Sequence, residues 1–417
     1  MSPVLSNPTA GMFDRRPAQQ TALFPIHSTD NGPKARTGSD LAPIVTGPGG
    51  SISGSPMPDC PPAPPEEHGA QRHAEGRTRD AAARCGAQQS APLVGIARLA
   101  ANSPCAQTER TSPERPEYFL LPVRSILNRC DSKRVPFEWT INPYRGCEFA
   151  CKYCYARYTH EYMELDGGEF EKKIYVKKDA GPLAERDLSN EKIWGEHIAI
   201  GTATDPYQPA EREFGATRAI LQKMAEREGL KLSITTKSNQ VVRDIDLLKR
   251  ITERSSITIQ MSVGTVRTRL ARLLEPRAPR PDLRLEAVCK LRAAGIAAGI
   301  NAMPILPGLT DRQEDLDALV RGARDCGAQW IAGGVLFLMP ASLKQFMPFL
   351  EQKFPKLVRQ YREWYSRHAY APDAYRKEIA ARFEHLRRKY GLGVRPEMSN
   401  SISWQSPQMQ LALENRG

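Results

Sequence analysis

The chain has 417 residues, 40% of them hydrophobic, and a net charge of +12 with an isoelectric point near 9.3. That length allows one large domain or two to three ordinary ones, and the charge favours contact with a polyanion without establishing it. No apolar run reaches the roughly 18 residues of a membrane span, no basic-then-apolar signal pattern opens the chain, and nine cysteines, three of them clustered, do not make a disulfide framework; a reducing cytoplasm is the expected compartment.

Residues 1–110 hold 15 of the 34 prolines, in runs such as "GPGGSISGSP" and "PMPDCPPAPPEE". Hydrophobic periodicity fails there, except in "APLVGIARLA". Such a segment buries too little apolar surface to offset chain entropy, so it is predicted to be disordered, with Cys60, Cys85 and Cys105 incidental. From residue 117 strands and helices alternate. "EWTINPYRG" (138–146) is predicted to open the core as a strand, and "HIAIGTAT" (197–204) is the second. The helix "ATRAILQKMAEREG" (216–229) follows, ended by Gly229, then the strand "LKLSITTKS" (230–238) and the helix "VVRDIDLLKRITER" (241–254). "SSITIQMSV" (255–263) is a strand and "PDLRLEAVCKLRAAG" (281–295) a helix. "IAAGINAMPILPG" (296–308) runs from strand into turn. The helix "TDRQEDLDALVRGARDCG" (310–327) has Thr310 and Gln313 at capping-box spacing. "QWIAGGVLFLM" (329–339) is the last strand. Repeated βα units imply a parallel sheet, and six of them an open, partial (β/α)6 barrel, a shortened relative of the eight-fold barrel. The fold class expected is therefore α/β, with a core over 117–340. Residues 341–417 form a basic helical extension, with 13 Lys/Arg against 7 Asp/Glu from residue 351 onward and its clearest helix at 375–391. The extension is expected to pack on the barrel with a solvated basic face, or to contact phosphate.

Functional groups in parallel βα folds gather at the C-terminal ends of the strands. The stretch "RGCEFACKYCYAR" follows the first strand and holds Cys147, Cys151 and Cys154 at C-x3-C-x2-C spacing. Soft thiolates at short spacing suit zinc or an iron-sulfur cluster. Zinc needs a fourth protein ligand, for which His160 is nearest; a [4Fe-4S] cluster manages with three cysteines if its fourth iron binds something exchangeable. Spacing alone leaves both open. In "ITIQMS", Thr258, Gln260 and Ser262 share one strand face and Ile257, Ile259 and Met261 the other. Outer helices claim the apolar face, so the polar face points into the barrel.

The aromatic Tyr153 between the last two cysteines makes the loop resemble the cluster loop of the radical S-adenosylmethionine (radical SAM) superfamily. "INPYRGCEFACKYCYAR", "GTATDPYQPAE" (201–211), "TTKS" (235–238) and "MPILPGLTD" (303–311) together resemble its spore-photoproduct-lyase-like branch. The resemblance covers about residues 118 to 340. It implies a [4Fe-4S] cluster on Cys147, Cys151 and Cys154, whose open iron is chelated by S-adenosylmethionine, and an electron donor of flavodoxin or ferredoxin type. It implies cofactor contacts from Thr204 and Asp205 (ammonium), Lys237 (carboxylate or ribose) and Ser262 (ribose). Tyr153, Asn301 and Ala302 would lie near the adenine. Tyr155 is a candidate for radical return, and nucleic acid a possible partner. The superfamily's amino-group motif is matched by spelling at Gly167, Gly168 and Glu169, but in a loop before the second strand, and is rejected there. Arg277, Arg280 and Arg284 with Glu275 are substrate-contact candidates at the cavity mouth. Cys289 and Cys326, on helices, are expected as small buried residues.

One departure matters. The branch carries a hydrogen-donating cysteine just before the Ser/Thr–Asp pair, and this chain has Ala203 there. Repair by the same route is therefore in doubt. The reading from another class is a metal-stabilised nucleic-acid-binding protein without turnover.

Overall fold

The computed structural model describes residues 93–106, 115–130 and 135–396. Short β-rich runs supply the strands: β1 (Glu117–Leu121), β2 (Leu127–Arg129), β3 (Trp139–Ile141), β4 (Tyr144–Arg145), β5 (Lys173–Lys177), β6 (His197–Ile200), β7 (Lys231–Thr236), β8 (Ser256–Ser262), β9 (Ala297–Ile305) and β10 (Ile331–Val335). Seven of them form one sheet in the order β10-β9-β8-β7-β6-β3-β2. From β3 to β10 every pairing is parallel; β2 adds antiparallel at the edge. Each parallel strand lies beside its predecessor in the barrel sequence, which is the partial barrel expected from six βα units.

Helices cover the outer face. Ile245–Arg254 buries Leu247, Leu248 and Ile251, and Gln313–Asp325 buries Leu316, Leu319, Val320 and Ala323. They meet Ile257, Ile259 and Met261 of β8 in one hydrophobic core; each such side chain contributes about 1.5–3 kcal/mol when fully buried. The Thr310–Gln313 capping box is not formed. The helix starts at Gln313 with Arg312 as its N-cap, and Thr310 Oγ1 instead accepts from Leu306 N at 2.9 Å within the preceding turn. Gly308 in that turn has φ +73°.

The first predicted strand is split. Residues 139–141 join the barrel, whereas β4 pairs antiparallel with β5, which pairs parallel with β1, in a separate three-stranded sheet. The predicted disorder to residue 110 also needs correction. Gly95–Ala101 is a helix, and its Ala100 packs with Leu121, Met163 and Tyr175; residues 1–92 and 107–110 lie outside the described residues.

The C-terminal extension does two things. Helix Pro340–Lys353 packs on the cysteine loop and helix Val358–Tyr365 packs against it in turn; Phe346, Leu350, Tyr361 and Tyr365 belong with Cys147, Cys151 and Tyr153 to a second apolar core. Helix Asp373–Tyr390 covers β10 from outside, its Phe383 ring filling the space where a side chain at Gly333 would stand. On that helix Arg376, Arg382, Arg388 and Lys389 each pair with a carboxylate, so its basic charge is partly neutralised. No helix among the described residues is long and apolar enough to cross a membrane.

Candidate active site

The cysteine loop leaves β4 through Gly146, which has φ +84° and no room for a side chain. An added Cβ would lie 2.6 Å from Lys173 O and 2.8 Å from Phe170 O. The backbone is then stitched down, with Cys147 N donating to Phe170 O (3.0 Å), Lys152 N to Leu274 O (2.9 Å) and Arg277 N to Phe149 O (3.3 Å). Buried Arg157 reaches back to Cys151 O at 3.2 Å and pairs with Glu171 at 2.6 Å. From above, Ser342 Oγ donates to Cys154 O at 2.8 Å.

Gln208, which spacing rules did not single out, locks the loop to the second barrel unit. Its Oε1 accepts from Glu148 N (2.9 Å), and its Nε2 donates to Gly146 O (3.2 Å) and Thr204 Oγ1 (3.0 Å). Glu148 Oε1 accepts from Ala210 N at 2.7 Å. Glu211, fully buried, accepts from Tyr144 Oη, Thr217 N and Arg243. A fully buried amide or carboxylate needs such partners to offset its desolvation, but neither carries a sequence period that would announce it.

The three thiols come together. Burial pushes Cys147 well above the ordinary thiol range, aided by Asp205 and the other two sulfurs. Burial also raises Cys151, to about 12, and Cys154, while Lys237 pulls the other way at both. Among the described residues no three His, Cys, Asp or Glu side chains converge to hold a single ion; a cluster that takes one thiolate per iron does not need that convergence. His160 is not turned to the thiols. Its Nε2 meets Lys173 O at 3.0 Å, its ring packs edge-on against Phe170, and burial depresses its pKa to about 4. The nearest candidate for a fourth zinc ligand is a packing histidine.

Above the barrel, Thr204 Oγ1 donates to Gly146 O at 2.6 Å. Asp205 accepts from Tyr207 N (2.9 Å), Thr236 Oγ1 (2.7 Å) and Lys237 N (2.7 Å). Both therefore tie the loop after β6 to neighbouring elements. Burial raises the Asp205 carboxyl, against these hydrogen bonds. The β7–β8 register pairs Thr236 with Met261, so Lys237 comes level with Ser262, which pairs with Asn301, which pairs with Ala332. These four form one interior layer across four strands. One layer down, Gln260 Oε1 accepts from Thr235 Oγ1 (3.2 Å) and Asn301 Nδ2 (2.9 Å). The inward polar face of β8 is as expected. Ala302 departs from expectation: strand alternation turns it, fully buried, to the outer core beside Ile300.

The Lys237 ammonium lies 5.8 Å from the centre of the Tyr153 ring. Tyr153 Oη donates to Glu275, which pairs with Arg284 at 2.5 Å. Arg284 also donates to Pro279 O (2.8 Å) and Ser262 O (3.1 Å). Burial alone would raise Glu275; Arg284 and Lys237 hold it below the ordinary carboxylate range. Glu275 and Arg284 were expected at the cavity mouth, but both are buried and bound to each other. Arg280 is exposed and paired with Asp282. Tyr155 is 42% exposed, its hydroxyl donating to Thr202 O beside Ala203. Glu169, in the rejected Gly167–Glu169 spelling, pairs with Lys173 at 2.8 Å. Cys326 is buried, whereas Cys289 is exposed, because its helix turns that position to solvent.

Residues 141–320 match the Radical SAM superfamily. An uncharacterised protein of Mycobacterium tuberculosis (strain H37Rv) is 35% identical over 271 residues, 64% of this chain and 79% of that relative. One from Methanocaldococcus jannaschii is 34% identical over 174 residues, 42% of this chain and 62% of that relative. Among solved structures, a variant of spore photoproduct lyase has a TM-score of 0.50 at 16% identity, over 66% of this chain and 80% of that one, a likeness of fold. Sequence match, sheet order and cysteine loop agree: the chain belongs to the radical SAM superfamily and is a radical SAM enzyme.

Proposed function

We propose that the protein holds a [4Fe-4S] cluster on Cys147, Cys151 and Cys154, binds S-adenosylmethionine beside it, and performs lyase-like or other radical chemistry on a substrate whose favoured class is nucleic acid. The observation that carries this reading is the set of three thiols, Cys147 and Cys151 buried and Cys154 half-buried, at the mouth of a partial barrel, beside an interior layer of Lys237, Ser262 and Asn301. The donor set fits the groups that the superfamily implies: soft sulfur ligands in an apolar pocket, with the cation Lys237 alongside. When bound, the cluster supplies the electron that splits S-adenosylmethionine into methionine and a 5'-deoxyadenosyl radical.

The chain's own groups then bind and orient. Lys237 and Ser262 offer donors to a carboxylate or ribose, and Asn301 Oδ1, buried without a hydrogen-bond partner, offers an acceptor to the adenine edge. Tyr153 flanks the same space, and Ala302 contributes backbone alone. Asp205 keeps lone pairs for an ammonium group, since a carboxylate has about four acceptor sites; Thr204 positions the backbone beside it. Tyr155, adjacent to Ala203, is the group on which we place hydrogen return. Its O–H bond breaks to give a hydrogen atom to the substrate carbon radical, and the phenoxyl radical left is quenched by the electron donor and a solvent proton. Radical SAM enzymes require a reductant, here of flavodoxin or ferredoxin type. The charge of +12 supports the nucleic-acid class.

The test is anaerobic. The reduced, iron-loaded protein should form 5'-deoxyadenosine from S-adenosylmethionine, and Cys151→Ala should lose iron, sulfide and cleavage together. A fully loaded, reducible protein that leaves the cofactor intact would sink the reading. With deuterated candidate substrates, Tyr155→Phe should still put deuterium into 5'-deoxyadenosine yet yield less finished product; unchanged product yield removes Tyr155 from the scheme.

A further inference from the structure

The segment after the last helix enters the barrel. Gly393 forms a parallel bridge with Trp330, its N donating to Gln329 O (3.1 Å) and its O accepting from Ile331 N (3.4 Å). It thereby covers the otherwise open edge of β10. Two residues further along, Arg395 comes level with Ala332, in the layer of Asn301, Ser262 and Lys237. Its side chain does not follow the sheet. Arg395 Nη1 donates to Gln260 Oε1, at 3.4 Å, on β8. Along a flat sheet those three strand spacings would come to about 14 Å, farther than an arginine side chain extends. The sheet therefore curves enough for this segment, lying along its β10 edge, to deliver a guanidinium into its interior.

That guanidinium is half-buried, and among the described residues no carboxylate pairs with it. Burial holds its pKa below the ordinary value. Beside it lies the Gln260–Asn301 pair, whose one free acceptor is Asn301 Oδ1. A guanidinium has five donors in a fixed fork suited to two oxygens of one anion. A single long bond to an amide leaves most of that fork for a ligand.

We infer that Arg395 is the substrate-anchoring residue of the barrel interior, and that the substrate presents an anionic oxyacid group to it. This rests on the radical-enzyme reading above and narrows its substrate class to anions bearing two or more charged oxygens. Phosphate and carboxylate share that chemistry.

The experiment is calorimetric titration of the full chain in an amine buffer, with sodium phosphate and sodium acetate as separate probes. Wild type should bind at least one of them, and Arg395→Gln should bind it at least tenfold more weakly. Arg395→Lys, which keeps the charge, should fall between. Binding of phosphate alone assigns a phosphorylated substrate, and binding of acetate alone a carboxylate. Equal affinity in wild type and Arg395→Gln overturns the inference, as does no binding to wild type. A lower melting temperature with unchanged affinity also overturns it, leaving Arg395 a structural plug. Formation of 5'-deoxyadenosine without substrate bears on the radical reading only, so the two can fail separately.

Discussion

At the scale of single residues, the buried Glu275–Arg284 pair decides how the site is held. Both side chains are almost wholly out of water, and the pair links Tyr153 of the cysteine loop to the end of β8 through Ser262 O. Removing one member of a buried pair strands the other's charge, at a typical cost of about 3–5 kcal/mol, whereas replacing both by apolar side chains is often neutral or better. Glu275→Ala should lose about that much in urea denaturation. Glu275→Ala with Arg284→Met in the same chain should recover most of it. A single variant that loses under ~1 kcal/mol would mean that the pair is solvated. Both residues were visible in the sequence as a charged stretch after the fourth barrel strand. Their burial was not, because a charge run normally marks a solvated face, and only the meeting of Glu275 with Tyr153, 122 positions away, turns it inward.

At the scale of elements, periodicity carried the barrel. "SITIQMS" states its two faces outright, and its inward polar side chains join Gln260 to Thr235 and Asn301. The small sheet of β1, β5 and β4 was illegible: its strands have two to five residues, and β1 finds β5 across 56 positions. Ala302 lies near a strand end, yet strand alternation turns its side chain into the outer core. The small sheet also holds an oddity, Lys177 of β5, 5% exposed with Nζ 3.5 Å from Ile126 O. Burial, with Arg145 nearby, lowers its pKa to about 7. A lysine depressed in the fold destabilises the native state fully below the folded pKa, where the ammonium must be buried charged. That cost fades as pH rises toward the unfolded value. Lys177→Met should therefore stabilise the protein by at least ~2 kcal/mol near about pH 6, and by little near about pH 10. Denaturant melts of both proteins across that range check it; a gain independent of pH would show that packing, not charge, is responsible.

At the scale of the molecule, the barrel supplies the walls and the extension supplies the cover. A partial barrel exposes its loop end, yet Cys147, Cys151 and Tyr153 are buried. The cover is Pro340–Lys353 with Val358–Tyr365, centred on Phe346, whose ring is fully buried with Tyr361 5.5 Å and Phe349 5.8 Å away. The basic composition of residues 341–417 pointed to a solvated or phosphate-binding face and hid this apolar side. The iron-sulfur cluster that we propose for this loop would need shielding from solvent and oxygen, and the cover would provide it. Phe346→Ala should cost about 3–5 kcal/mol as a core truncation, and it opens space in the apolar core that Cys147 and Cys151 share. Phe346→Leu keeps most of the volume and should cost under ~2 kcal/mol. The distinguishing readout is the rate at which iron and sulfide are lost when loaded protein meets air. Loss should be several-fold faster in Phe346→Ala than in wild type, with Phe346→Leu close to wild type. If all three lose iron at one rate while the stability differences hold, the helices brace the loop mechanically and oxygen reaches it through the barrel instead.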